Sequence, residues 1–212
     1  MSLENYIMPC LNYVILGDMM KVITQLFDRY KLKYWLDGGS LLAAVRHGHQ
    51  IPWDDDIDLG IHIKDKDKLL EALKDVHKLG YSVQFGDCSI IKIFLAVKDT
   101  WIKTDYNCYG TPTLDIFFWD TDGDKVVLFD QNNREKWTQC YHLKKDLFPL
   151  KKCSFDGIKV FAPNNGIPYL DRMYPTWRTE AKIDIRTFDD EFKTNKIDTV
   201  TIPLTGKWAF IE

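Results

Sequence analysis

Asp54, Asp56 and Asp58 stand at alternate positions in the run Trp53-Asp54-Asp55-Asp56-Ile57-Asp58-Leu59-Gly60, downstream of Asp37-Gly38-Gly39-Ser40. In an extended chain this i, i+2, i+4 spacing puts three carboxylates on one edge. Carboxylates repel by about 4 kcal/mol per pair at ~4 Å and an effective dielectric of ~20, so such a cluster in an apolar segment calls for a cation. The economical chemistry is a divalent metal ion holding a phosphorylated substrate. Gly38 and Gly39 add the phosphate side. They permit positive φ and close backbone approach, and the helix start that follows offers N–H groups and a favourable dipole, with the Ser40 hydroxyl beside them.

Each feature has a plainer reading. A GlyGlySer turn capped by serine is common between strand and helix, and only the acids downstream favour phosphate. A calcium loop starting at Asp54 would place Asp65 at its twelfth position, but Leu59 occupies the sixth, where that loop requires glycine. Asp115, within Leu114-Asp115-Ile116-Phe117-Phe118-Trp119, is the candidate third acid, because a lone carboxylate in an apolar strand is costly. A metal, a substrate hydroxyl or an ion pair with lysine or arginine would satisfy it. Arg46 and Lys92 are candidates to pair phosphate oxygens, with a surface or internal ion pair as the alternative for each. His47 and His49 suggest loop-fixing hydrogen bonds more than zinc ligands, and Trp53 suggests packing more than base stacking.

The elements that must hold these residues are legible from periodicity. Apolar residues from Leu11 to Tyr30 recur at helical spacing after Pro9, predicting an amphipathic helix. Tyr34-Trp35-Leu36 predicts a short strand, and Leu41 to Arg46 a short helix capped by Ser40 and stopped by Gly48. Ile57, Leu59, Ile61 and Ile63 alternate with polar residues, so a strand there buries one face and presents Asp56 and Asp58 on the other. Leu69 to Leu79, closed by Gly80, predicts a second helix capped by Asp65 or Asp67. Ser89–Val97 and Thr113–Trp119 predict strands, the latter turning through Asp122-Gly123 into Lys125–Phe129. Asp156-Gly157 predicts a hairpin turn, while the last stretch carries little pattern.

At 212 residues, with 45% hydrophobic and 14% aromatic content, the chain suits one domain, with residues 1–140 as catalytic sheet and helices and 141–212 as a C-terminal flank or lid. The formal charge of −3 and the interspersed lysines give no basic stripe for nucleic acid. Five scattered cysteines without a CxxC pair disfavour a disulfide framework or a zinc site. No apolar run approaches the ~20 residues of a membrane span, and no leader is evident, so a cytoplasmic setting is expected.

Tyr34 to Gly60, YWLDGGSLLAAVRHGHQIPWDDDIDLG, closely resembles the LicD family, which includes bacterial phosphorylcholine transferases and fukutin-related ribitol-phosphate transferases, within the nucleotidyltransferase superfamily. Leu114-Asp115-Ile116-Phe117 is similar to the family's third acidic strand, and Phe148-Pro149-Leu150 with Tyr169-Leu170 and Tyr174 to its C-terminal pattern. The chain departs at Tyr174-Pro175-Thr176-Trp177, where a Tyr-Gly-Asp-Trp-like ending is usual, and it lacks a visible cysteine zinc cluster.

The resemblance implies an α/β (α+β) nucleotidyltransferase-like fold, a mixed β-sheet flanked by helices. It implies transfer of a phosphorylated alcohol from a CDP-activated donor to a glycan hydroxyl, with CMP as leaving group. By position, Asp56 and Asp58 match the metal-holding pair for Mg²⁺ or Mn²⁺, and Asp115 the third acid, which as a metal ligand would also orient or deprotonate the acceptor. Gly38, Gly39 and Ser40 match the phosphate loop, with Asp54, Arg46 and Lys92 as further substrate-binding residues. Three other readings remain: a nucleotidyltransferase that moves the nucleoside monophosphate with pyrophosphate release, a glycosyltransferase, and a non-enzymatic module.

Overall fold

The computed structural model describes residues 3–7, 10–86, 90–96, 101–103, 108–188 and 194–209. Pro9, Ser89 and Val97, named above, lie outside them, as does Cys88. Helix α1 (Cys10–Arg29) leads into β1 (Tyr34–Leu36), α2 (Gly38–Arg46) and β2 (Asp56–His62). Helix α3 (Lys66–Leu73) precedes β3 (Tyr81–Phe85), β4 (Ile90–Leu95), β5 (Trp101–Lys103), β6 (Cys108–Gly110), β7 (Thr113–Asp122) and β8 (Lys125–Leu128). There follow α4 (Gln131–Lys136), β9 (Tyr141–Leu143), α5 (Lys144–Leu147), β10 (Lys151–Phe155) and β11 (Ile158–Ala162). The described chain closes with α6 (Ile167–Met173), β12 (Glu180–Phe188) and β13 (Thr194–Pro203).

The architecture is α/β, a mixed sheet flanked by helices. Strands run in the order β1-β2-β7-β4-β3, with β8 on β7 and β9 on β8. Among the described strands β2 and β7 pair parallel, and the crossover between them contains α3 and the β3–β4 hairpin. The alternation in β2 works as its sequence requires: Ile57, Leu59 and Ile61 are fully buried, and each such side chain contributes about 1.5–3 kcal/mol. Gly60 has a packing reason of its own. It pairs with Trp35 on β1, and a Cβ there would clash with the indole at 2.3 Å.

Helix α1 forms where its spacing predicts, but its buried face is shifted. Leu16, Met19, Met20, Ile23, Leu26 and Phe27 enter the core against β2 and β7, whereas Leu11 and Val14 are exposed. Apolar periodicity locates a helix better than it orients its first turn, where no sheet lies opposite. The stretch Leu69 to Leu79 is likewise not one helix. It breaks after α3 into a 3₁₀ turn over Val76–Leu79 before Gly80 reverses the chain at φ +88°. Asp65 does sit at the N-cap of α3, but its carboxylate takes Lys68 and not a backbone N–H.

The patternless C-terminal stretch folds as the antiparallel hairpin β12–β13. Ala181, Ile183, Ile202 and Leu204 form a small core of their own with Leu3 from the N-terminal turn. Asp156-Gly157 makes the expected tight turn between β10 and β11, both residues at positive φ. Cys140 and Cys153 are half-buried free thiols and Cys10 is exposed, so the last of these is no core residue. Among the described residues no helix is long and apolar enough to cross a membrane.

Candidate active site

Parallel pairing puts Asp58 directly beside Asp115, on the face of the sheet opposite Ile57 and Leu59. With Asp56 two residues earlier, the three carboxylates offer oxygens that all lie within 4.8 Å of one another. Lys92 on β4 pairs across from Asp115, and its ammonium reaches the Asp115 Oδ2. The ion-pair alternative for both residues is thus realised on one oxygen. Asp115 Oδ1 is buried with no hydrogen-bond partner among the described residues. Burial, then the charges of Asp58 and Asp115, hold the Asp56 carboxyl well above the usual carboxylate range. Burial, then Asp115, Asp54 and Asp37, do the same for Asp58. Three converging carboxylates and an orphaned buried oxygen fit a hard divalent cation.

The glycine cradle faces this cluster. Helix α2 begins at Gly38, three residues earlier than a Ser40 cap would place it, with Asp37 in the cap position. Ser40 lies inside the helix, and its hydroxyl oxygen accepts the Asp58 N–H at 2.8 Å, tying β2 to the helix. Gly39 donates its N–H to Asp58 Oδ2 at 2.8 Å. Gly38 holds φ +47°, and a Cβ there would lie 2.5 Å from the same oxygen. A Cβ on Gly39 would lie 3.0 Å from Asp54 Oδ2, which places Asp54 at the mouth of the cradle. Asp54 and Asp55 also bring carboxylate oxygens within 4.8 Å of Asp56.

A cleft of about 440 Å³ opens in front, bounded by α2, the approach to β2, the segment after α6 and the β12–β13 hairpin. Its volume falls in the ~300–1,000 Å³ range of small-molecule sites. Arg46 lines it but is engaged in structure: its Nη1 donates to the Trp177 carbonyl at 3.0 Å and the Glu180 carbonyl at 3.5 Å, and its Nε to His47 Nε2 at 3.0 Å. Burial pulls the guanidinium pKa down to about 10 against the opposing pull of Asp54. His47 is an acceptor here, its pKa lowered to about 3 by burial, Arg46 and His49. His49 Nδ1 lies 2.7 Å from the Gln50 carbonyl, a loop-fixing contact. Trp53 lines the cleft and also packs edge-on against Trp208 and His47.

The family model of the LicD/FKTN/FKRP nucleotidyltransferase domain matches residues 31–165. The chain belongs to the LicD family. An uncharacterized protein of Rickettsia prowazekii is 33% identical over 168 residues, which is 79% of this chain and 57% of that protein. Human ribitol 5-phosphate transferase FKRP is 42% identical over 62 residues, covering 29% of this chain and 12% of its own length. The lipopolysaccharide cholinephosphotransferase LicD of Haemophilus influenzae is 40% identical over 62 residues, covering 29% and 21%. The chain spans about half the length of the first of these relatives.

This LicD-family site includes residues that sequence reasoning missed. Asp37, buried just ahead of the glycines, meets the His142 Nε2 at 3.2 Å, and His142 stacks on Tyr169 with centroids 4.1 Å apart. Tyr174 and Trp177 wall the cleft together with Lys182, Asp184 and Thr199 of the hairpin. The available signal for Asp37 was a carboxylate set in an otherwise apolar strand end. His142 gave none, being separated from Asp37 by 105 positions.

Proposed function

We propose that this protein is a metal-dependent phosphotransferase that moves a phosphorylated alcohol from a CDP-activated donor to a glycan hydroxyl and releases CMP. The observation that carries the reading is the in-register pairing of Asp58 with Asp115 on parallel strands, with Asp56 alongside, facing a glycine cradle at a helix N-terminus. Kinship with proteins named ribitol 5-phosphate transferase and cholinephosphotransferase supports the same class.

Asp56, Asp58 and Asp115 would hold Mg²⁺ or Mn²⁺, for which hard oxygen ligands suit. The chemistry supplied there is neutralisation of charge on the donor phosphates as the bond to the leaving nucleotide breaks. The chain's own residues do the rest. Gly38 and Gly39 let the Asp58 carboxylate lie against the start of α2, where the helix dipole favours negative charge, and a donor phosphate would be held beside them across the metal. Lys92 fixes the Asp115 carboxylate and places a positive charge beside the phosphates. Asp115, beside Asp58 on the same face, would also orient the acceptor hydroxyl or take its proton. Trp53, Tyr174 and Trp177 shield the cleft from water, and residues 141–212 act as its flank in a single domain with 1–140.

The test is product analysis. With Mg²⁺ and an acceptor glycan, CDP-choline or CDP-ribitol should yield CMP, and Asp58→Ala should lower that rate on the order of 10³-fold with an unchanged circular dichroism spectrum. Pyrophosphate from CTP, with no CMP from either CDP-alcohol, overturns the reading in favour of nucleotidyl transfer.

A further inference from the structure

A second cavity, of about 340 Å³, opens at the far end of β2 and shares no lining residue with the cleft. His62, which lines it, ends the strand that Asp56 begins, and at ~3.3 Å per residue it lies about 13 Å along the sheet from Asp58. Its walls are largely carbon. Trp35 stands edge-on to Phe148 and tilted against Trp119, and Phe161 meets Tyr34 edge-on, so the rings are fixed by packing before any ligand arrives. The volume lies at the lower end of the ~300–1,000 Å³ range of small-molecule sites.

The rim is basic and uncompensated. Lys33 and Lys64 line the cavity, the Lys33 ammonium stands 4.4 Å from the Phe161 ring centroid, and that of Lys152 stands 4.8 Å from the same centroid. Among the described residues none of these three lysines forms a salt bridge. Nearby lysines do: Lys68, Lys74 and Lys78 each pair with an acid three positions earlier. Asp65 is the acid among the lining residues, and it is the one that Lys68 takes, at 3.1 Å. His62 is turned inward to the backbone, its Nδ1 accepting the Lys64 N–H at 3.2 Å, and burial followed by the Lys64 charge holds its pKa below the usual imidazole value. In a chain of formal charge −3 the local field here therefore runs against the net charge.

Two features narrow the ligand. Lysine binds phosphate as a point charge, and a phosphate monoester carries close to two negative charges at neutral pH, which answers several ammonium groups better than one carboxylate does. Inorganic phosphate alone would leave the ring walls against water, whereas a carbon body attached to it would cover them.

We propose that this cavity is a second binding site, separate from the catalytic centre, for a phosphate monoester with a compact apolar body. The phosphate sits between Lys33 and Lys64, and the body rests on Trp35, Phe148 and Phe161. A free organic phosphate and a lipid phosphomonoester headgroup offer the same chemistry, and competition tells them apart.

The test is titration of the full chain with phenyl phosphate in the presence of chelator, so that neither Mg²⁺ nor a CDP-alcohol takes part and the outcome is independent of the proposed transfer reaction. Phenyl phosphate should bind at least about tenfold more tightly than inorganic phosphate, and the His62 imidazole resonances should shift on binding while those of His47 beside the cleft stay in place. Replacing both lysines (Lys33→Gln with Lys64→Gln) should weaken binding at least about tenfold, and the paired Lys33→Arg and Lys64→Arg changes should retain it. Both side chains are exposed and outside any salt bridge, so the melting temperature of each variant should match that of the unmodified chain. Asp58→Ala should bind phenyl phosphate as the unmodified chain does. Equal affinity for inorganic phosphate, undiminished binding by the glutamine variant, or loss of binding in Asp58→Ala overturns the proposal. With the site upheld, displacement of phenyl phosphate by phosphatidic acid vesicles assigns it to a lipid headgroup, and retention assigns it to a free ester.

Discussion

Gly38 and Gly48 both adopt positive φ, at +47° and +74°, and both flank α2, but an added methyl would meet different surroundings. At Gly48 nothing lies within 4 Å, so alanine there costs only the left-handed strain, about 1–2 kcal/mol. At Gly38 the methyl would press on the Asp58 carboxylate, and through it on the cluster shared with Asp56 and Asp115. Gly38→Ala should therefore cut turnover about 10²-fold, the effect of a misplacement near 1 Å, while Gly48→Ala leaves turnover intact. Melting curves and steady-state rates on the two variants check this. Such glycines declare themselves in the sequence because residue type and chain reversal go together. The pairing of Asp37 with His142 did not, since a contact that joins the cap of α2 to β9 has no local signature.

The β12–β13 hairpin, which packs around its own small core, is also tied to α2 by the Arg46 guanidinium. Arg46 closes α2 and donates to the carbonyls of Trp177 and Glu180, so the helix that begins at the cradle ends by holding the far wall of the cleft. Arg46→Met keeps length and apolar packing but removes these bonds, each of a kind worth about 1.5–3 kcal/mol. The expected result is faster hydrogen exchange across β12 and weaker nucleotide binding, with β2 and β7 still protected. Equal protection of β12 in both proteins would refute the clamp. Elements differ here in how far the sequence announces them. Strand β2 is legible because burial of Ile57, Leu59 and Ile61 repeats with the period of the backbone. The hairpin is not, because Ala181, Ile183, Ile202 and Leu204 bury against a small separate core that only tertiary contact creates. The Lys92–Asp115 pair falls between: both residue types were conspicuous, but their register across β4 and β7 was not.

For the molecule as a whole, the acid cluster sets a conflict between stability and function that pH exposes. Burial and mutual repulsion raise the native pKa of Asp56 and Asp58 above the unfolded carboxylate value near ~3.9. Between that value and the raised native ones the folded chain binds more protons than the unfolded chain, so stability from these groups is fully present below about pH 4 and is lost as pH rises. Asp58→Asn keeps an acceptor for the Gly39 N–H while removing one charge. In chelator, its melting temperature should fall less between about pH 5 and pH 8 than that of the unmodified protein, with about 2–4 °C regained at the upper end for each kcal/mol of repulsion relieved. On the proposed reading Mg²⁺ would bind the ionised cluster in competition with protons, so the stabilisation it gives the unmodified protein should grow with pH over the same range and be largely absent in Asp58→Asn. Parallel pH profiles for the two proteins, with and without Mg²⁺, would mean that neither proton nor metal is linked to folding through Asp58.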